Sequence, residues 1–322
     1  MAKLFSKIVD NKNFDIVGKR TIWFVIPAVI LAVALIMYFA VGMNVGIDFA
    51  GGIKIELIDE SGITDAEFET YKNEIIEIVE ANDGVFSYAQ RSGDETIVVR
   101  VSSVIASPTD EQMAELQQAI EADLLVKYDA LVAANDDSGV SVSFAGASVS
   151  SELLSRALVA VTVASILMLI YIWIRFDLLS GISAVIALLH DVVMTFALTV
   201  IFGVQINSSY IAAIITIVAY SINATIVLFD RTRELKKHAT LGNKFNVADV
   251  ANQAVRNTFT RSFYTNVSTL IPLVLLAIFS VSSVTEFALP IIFGLVAGFF
   301  SSVCLAPSIW TLLNTQNKKK RA

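Results

Sequence analysis

Six long runs of apolar residues punctuate the chain, near 21–42, 157–174, 178–202, 209–229, 263–281 and 287–313. Each approaches or exceeds the ~20 residues that a helix needs to cross a ~30 Å hydrocarbon layer. The second is short and bracketed by Arg156 and Arg175, and the last is long enough to tilt or to end before Asn314. The first run is longer than the ~7–15-residue apolar core of a signal peptide, so it reads as a retained helix. After it the periodicity changes. Strand-like runs at Ile53–Ile58, Phe86–Gln90, Thr96–Val101 and Val140–Phe144 are separated by helical patterns over about 64–82 and 109–133. Thr64 and Glu67 have the spacing of a capping box, and Pro108-Thr-Asp-Glu111 opens the second helix. The order βαββαβ predicts a ferredoxin-like sheet with both helices on one face. The fold class is therefore a polytopic α-helical membrane protein of six spans with one α+β ferredoxin-like domain. Its parts are 1–20 before the membrane, span 21–42, domain 43–152, a five-helix bundle over 153–313 with a polar loop at 230–262, and a basic tail at 314–322.

Composition agrees: 55% of the 322 residues are hydrophobic, 16% are charged, and the mean hydropathy is +0.69, too apolar for a soluble core of this size. The net charge of -7 averages two opposite surfaces. Residues 44–151 carry 21 of the 30 acids and 5 of the 23 bases. Lys3, Lys7, Lys12, Lys19 and Arg20 precede the first span, Arg231, Arg233, Lys236, Lys237, Lys244 and Arg256 follow the fourth, and Lys318–Arg321 follow the sixth. Positive-inside bias then places both termini and loop 230–262 in the cytoplasm, and six crossings put the acidic domain outside. That acidic surface reads as a solvated face rather than a docking patch. The single cysteine, Cys304, lies in an apolar run where packing is the default. Two histidines, His190 and His238, give no metal cluster and no Ser-His-Asp arrangement.

Charge inside a span is rare and costly, which draws attention to His190-Asp191 near the middle of the third. Two readings stand: a polar pair that hydrogen-bonds across helices and fixes their packing, or a relay for an ion. Ser221, Asn223 and Thr225 of the fourth span suit either network, since hydroxyls and amides donate and accept without charge. Asp230, Arg231 and Arg261 fall at helix ends; anchoring by long polar side chains is the simpler account for Arg231, while for Arg261 anchoring and a functional role stand level. Gly294 and Gly298 have the small-xxx-small spacing that lets helices approach closely. The stretch Gly46-Ile-Asp48-Phe-Ala-Gly51-Gly52 leads straight into the first strand, a glycine turn from membrane to sheet.

These segments, in order, resemble the SecF family of bacterial protein-export subunits, within the RND superfamily. Gly46–Gly52 is similar to its G-I-D-F-x-G-G signature. Tyr171-Ile-Trp-Ile-Arg-Phe176 and Ala187-Leu-Leu-His-Asp-Val192 look like its next two motifs, and Tyr220-Ser-Ile-Asn-Ala-Thr-Ile-Val-Leu-Phe-Asp-Arg231 like the fourth-span motif. Asn252-Gln253 and Thr260-Arg-Ser262 echo the stretch that opens its fifth span. The resemblance covers about residues 20–313 and implies half of an RND-type transporter in the bacterial cytoplasmic membrane. It also implies a SecD partner, association with the SecYEG channel and YajC, indirect work with SecA, and an unfolded preprotein as cargo. No cofactor, nucleic acid or covalent chemistry is implied; the implied energy source is a gradient of H+ or Na+ that drives late-stage export. The family places an acid after Ser-Ile-Asn, and this chain has Ala224 there. That departure leaves a scaffold for SecD without its own ion coupling as one alternative. An RND-type small-molecule exporter half is the other, although about 108 external residues are few for a drug pocket. Arg261 matches a family arginine implicated near the ion path.

Overall fold

The computed structural model describes residues 15–92, 95–103, 109–134, 139–241, 246–279 and 282–321. Lys3, Lys7, Lys12, Pro108 and Lys244, used above, lie outside them. Helix α1 (Arg20–Ala40) is the first of six helices long and apolar enough to span a membrane. After it, the short helix α2 (Ile47–Ala50) leads into strand β1 (Gly52–Ile58). Next come α3 (Asp65–Ala81), β2 (Gly84–Ser92), β3 (Thr96–Ser103), α4 (Asp110–Lys127), α5 (Asp129–Ala134) and β4 (Val140–Ala145). The remaining spans are α6 (Ala147–Arg175), α7 (Leu178–Ile201), α8 (Ser208–Leu241), α9 (Val247–Phe279) and a composite sixth. That sixth is α10 (Ser282–Phe300), a π-helical stretch at Ser301–Leu305, and α11 (Ala306–Arg321).

The sheet is antiparallel in the order β2-β3-β1-β4, the ferredoxin-like arrangement. Period-two burial along β1 sends Ile53, Ile55 and Leu57 to one face, where Ile97, Val99 and Val101 of β3 join them. Ile75 and Val79 of α3 and Ile120 and Leu124 of α4 cover that face. Thr64 and Glu67 form the capping box read from the sequence, and α4 has a second one, with Thr109 and Gln112. Between α4 and α5 the buried Tyr128 donates to Glu74 Oε2 at 2.8 Å. Burial, with the Glu74 carboxylate beside it, pushes the Tyr128 hydroxyl well above its usual range. A raised folded-state pKa means that the contribution is complete below the unfolded value near pH ~10 and is lost as pH rises beyond it. Thermal melts of the full chain at pH 8 should show Tyr128→Phe costing about 1 kcal/mol. Between pH 10 and 11 wild type should lose stability faster than the variant; parallel curves would defeat this assignment.

Three sequence boundaries need correction. Residues 230–262 were expected to form a loop, but the described part is almost wholly helix, because α8 runs on to Leu241 and α9 begins at Val247. The 230–241 extension has its own support, with Arg231 paired to Glu234 at 2.6 Å and the Thr232 hydroxyl donating to Leu228 O. The α9 extension buries Val247, Val250, Ala251 and Ala254 at helical spacing. Likewise the basic tail is not separate: α11 continues through Arg321. The second span also starts earlier than its apolar run, at Ala147 directly after β4.

Candidate functional site

Helices α7, α8 and α10 pack closely, and a polar cluster lies where they meet. Asp191, fully buried midway along α7, accepts on Oδ2 from the Ser221 hydroxyl of α8 and from the Ser301 hydroxyl at 2.8 Å. Its other oxygen lies 2.8 Å from His190 Nδ1. Three helices therefore share one carboxyl group. Ser301 opens the π-helical stretch, the kind of local widening of a helix that recurs at functional sites. The Asp191 carbonyl accepts from Thr195, and the Thr225 hydroxyl donates to Ser221 O at 3.3 Å, so neighbouring hydroxyls are satisfied within their own helices. The His190 ring packs near Phe300, 6.0 Å between centroids, and its Nε2 is buried without a hydrogen-bond partner among the described residues.

On the other side of Ser221 is a cleft of about 150 Å³ lined by Tyr220, Asn223, Ala224, Arg261, Asn266 and Gly298 among others. Asn223 and Arg261 are exposed on the outer faces of α8 and α9. Ser221 and Gly298 separate this cleft from the carboxyl group: a Cβ built on Gly298 would lie 3.5 Å from Ser221 Cβ and 3.6 Å from Asp191 Oδ2. Four candidates thus divide into two sets. His190 and Asp191 join Ser221 in the buried cluster, whereas Asn223 and Arg261 share the cleft with Ala224. At Gly294, one turn before Gly298, the Ile217 side chain of α8 fills the space a Cβ would occupy.

The glycine motif serves a different place, the joint between sheet and bundle. Asp48 Oδ2 accepts from Ser208 N at 2.9 Å, capping α8. Val45 forms an isolated parallel bridge with Ile206, and Gly46 N donates to Ile206 O at 2.8 Å. A Cβ on Gly46 would meet Gln205 Nε2, while Gly51 and Gly52 have φ of 72° and 116°, which other residues rarely adopt. The motif is therefore a clasp as well as a turn. Arg100, buried on β3, donates through Nη1 to Asn44 Oδ1 and Val45 O, both at 2.6 Å. Neither Arg100 nor Ser301 was singled out from the sequence. Arginine inside an alternating strand and the Ser301-Ser302 pair inside an apolar run were the available signals.

At the opposite end, Asp230 pairs with Arg175 at 2.6 Å and Arg231 with Glu234. Asn252 accepts from Ile16 N and Val17 N and donates to Asp15, tying the approach to α1 onto α9. The Gly18 N–H and the Asn252 amide hold the Asp15 carboxyl below its usual range. Among the described residues no group of three or more His, Cys, Asp or Glu could hold a metal ion.

Residues 127–316 match the family described as protein export membrane protein SecD/SecF, C-terminal. The chain is 31% identical to the protein translocase subunit SecF of Calditerrivibrio nitroreducens, covering 99% of this chain and 100% of that one. It is 33% identical to SecF of Sebaldella termitidis, over 95% and 94% of the two chains. Bacillus subtilis SecDF is 30% identical over 96% of this chain, which spans 39% of that longer protein. Among solved structures, the translocon-associated membrane protein SecDF from Thermus superposes with a TM-score of 0.72 at 26% identity, over 95% of this chain and 39% of that one.

Proposed function

Because the chain belongs to the SecD/SecF family of protein-export membrane proteins, as a SecF-type subunit, we propose that it uses a transmembrane ion gradient to help draw preproteins outward late in export. One observation carries this reading: a polar cleft on the outer face of α8 and α9 is separated from the buried Asp191 carboxyl only by Ser221 and Gly298. An ion reaching the cleft meets a hydroxyl that already touches the carboxyl group, so a proton passes from cleft to Ser221 to Asp191 without crossing an apolar layer. His190, on the carboxyl's other oxygen, is the onward station.

The chemistry of the cleft also supports a partner on this face. Arg261, Asn223 and Asn266 on an apolar span face are poorly suited to lipid, and such groups are normally covered by protein or water. A SecD-type half that presents an acid opposite Arg261 satisfies both the charge and the gap left by Ala224. The larger assembly would include the SecYEG channel and YajC, with SecA acting earlier from the cytoplasmic side. In that assembly both termini are cytoplasmic and the sheet is outside, the orientation that the bases flanking the spans favour. One charge crossing 100 mV releases ~2.3 kcal/mol, enough to shift a two-state equilibrium roughly fifty-fold. The clasp at Asp48 and Arg100 then carries movement of α8 into the external domain.

The test is completion of an arrested preprotein in proteoliposomes holding the channel, a SecD-type partner and this chain. Completion should be several-fold faster with an H+ or Na+ gradient than without one, and the effective ion names the fuel. Equal rates with and without either gradient would leave the chain as a scaffold, the alternative that Ala224 favours. Arg261→Leu should weaken capture of the SecD-type partner in detergent at least tenfold, as breaking a desolvated ion pair does. Unchanged capture would remove the partner from this face.

A further inference from the structure

A relay at Asp191 needs a supply of protons, and the buried face of α7 carries hydroxyls on one side of that residue only. Thr195 and Thr199 follow Asp191 at intervals of four, which keeps all three on one face of the helix. Neither threonine has any exposed surface. The Thr195 hydroxyl donates to Asp191 O at 2.7 Å, and the Thr199 hydroxyl donates to Thr195 O at 2.9 Å. In the other direction the same face presents Ala187, fully buried and one turn from Asp191. The file of hydroxyls therefore runs from the carboxyl group toward the sheet and not the opposite way.

Hydroxyls that donate back along their own helix are common in membrane spans, and Thr216, Thr232 and Thr258 do the same here. A third group sets this file apart. Tyr210 of α8 is 4% exposed and lies beside Thr199, close enough for their hydroxyls to interact. Yet the Tyr210 hydroxyl completes no hydrogen bond of normal geometry among the described residues, and it is shut off from solvent. A buried hydroxyl left unspent costs stability, so it calls for a reason. The oxygen it faces, on Thr199, donates elsewhere and still has lone pairs with which to accept.

The file ends where the bundle meets the sheet. Asn207, three residues before Tyr210, accepts from Tyr210 N at 3.0 Å and donates to Glu286 Oε2 at 2.6 Å. That bond holds a half-buried carboxyl group of α10 over the start of α8. Arg100 and Lys54 of the sheet attract Glu286 and Glu56 repels it, so the carboxyl group sits among charges where the file opens.

Resting on the reading of Asp191 as a proton acceptor, we propose that Tyr210, Thr199 and Thr195 form the sheet-side limb of its proton path, with Glu286 at the mouth. Four residues of helix rise about 6 Å, twice the ~3 Å of a hydrogen bond. One water in transit between successive hydroxyls completes each hop, with hydroxyl and carbonyl oxygens as its partners. Each hydroxyl takes a proton on one side as it releases one on the other. None is left ionised, and the net step is one proton gained by the Asp191 carboxylate. Ser221 then links the same carboxyl group to the cleft on the partner's face.

The experiment is time-resolved infrared difference spectroscopy of the full chain with its SecD-type partner, in proteoliposomes oriented with the sheet toward the bath. A drop in bath pH should raise the carboxylic C=O band of Asp191, identified by its absence in Asp191→Asn. Tyr210→Phe and Thr199→Val each remove one hydroxyl at nearly constant volume, and either should slow the rise of that band at least tenfold while leaving its final amplitude unchanged. Because the lost hydroxyl is unpaired, Tyr210→Phe should also melt no lower than wild type, which a purely structural role would not allow. Thr216→Val removes a back-bonded hydroxyl from the half-exposed side of α8 and should leave the rate as it is. Should one of the two hydroxyl variants fail to fold, the other decides alone. A band that rises as fast in the folded hydroxyl variants as in wild type would overturn the limb and leave Asp191 its role. A wild-type Asp191 that never changes protonation would overturn the relay and the limb together.

Discussion

Asp191→Asn should leave the protein folded and paired with its partner, and should abolish the gradient-driven part of preprotein completion, a loss of at least tenfold. The prediction separates two roles that sequence alone left open. Asparagine is nearly isosteric with aspartate, and its carbonyl oxygen can still accept from Ser221 and Ser301 while its amide donates toward His190 Nδ1. Every hydrogen bond that packing needs therefore survives; only the ability to take and release a proton is gone. A cluster whose sole duty is to hold α7, α8 and α10 together would tolerate the change. Asp191→Leu supplies the contrast: it strands the buried Ser221 hydroxyl, at about 1–3 kcal/mol, and leaves Ser301 only its bond to Gly298 O, so it should lower both thermal stability and completion. Completion by Asp191→Asn that still responds fully to the gradient would remove the relay from this subunit and assign ion coupling to the partner.

Ser221, Asn223 and Thr225 stood together as possible members of one network because they are close in sequence and equally polar. Two positions along a helix is a turn of about 200°, so Asn223 points away from Asp191 into the cleft, while Ser221, on the cleft's inner wall, bonds Asp191. That distinction was available from the helical period. Ser301 was not, because it lies 110 residues from Asp191 and nothing local fixes which hydroxyl of the sixth span sits at the same depth. The π-helical stretch that carries it has no sequence signature. The sheet domain was far more legible: alternation in β1 and β3 and the Thr64–Glu67 box are local rules, and each local choice agrees with the ferredoxin-like order. The ends of α8 and α9 were misjudged because hydropathy finds the part of a helix that lipid surrounds, while the polar extensions are held by ion pairs and by one buried stripe.

The contact between Gly294 and Ile217 yields the second large effect. Gly294→Ala should destabilise the chain by about 1–3 kcal/mol and, in the same stroke, remove the gradient response. A methyl group there would overlap Ile217 on α8, a residue that is itself 1% exposed and has nowhere to move, so α8 and α10 must separate. Ser221 is one turn beyond Ile217, and Ser301 follows α10, hence a small separation of these helices lengthens both hydroxyl contacts to Asp191. Ile217→Ala alone should cost about 2–5 kcal/mol through the cavity it leaves. Combined, the two changes exchange a clash for a filled gap, and the double variant should be clearly less destabilised than the sum of the singles. Thermal melts of the three variants in one detergent measure this coupling. Strict additivity would show that Gly294 and Ile217 do not share a contact; recovery of stability without recovery of gradient-driven completion would show that the distance between α8 and α10 is not what keeps the Asp191 cluster in working order.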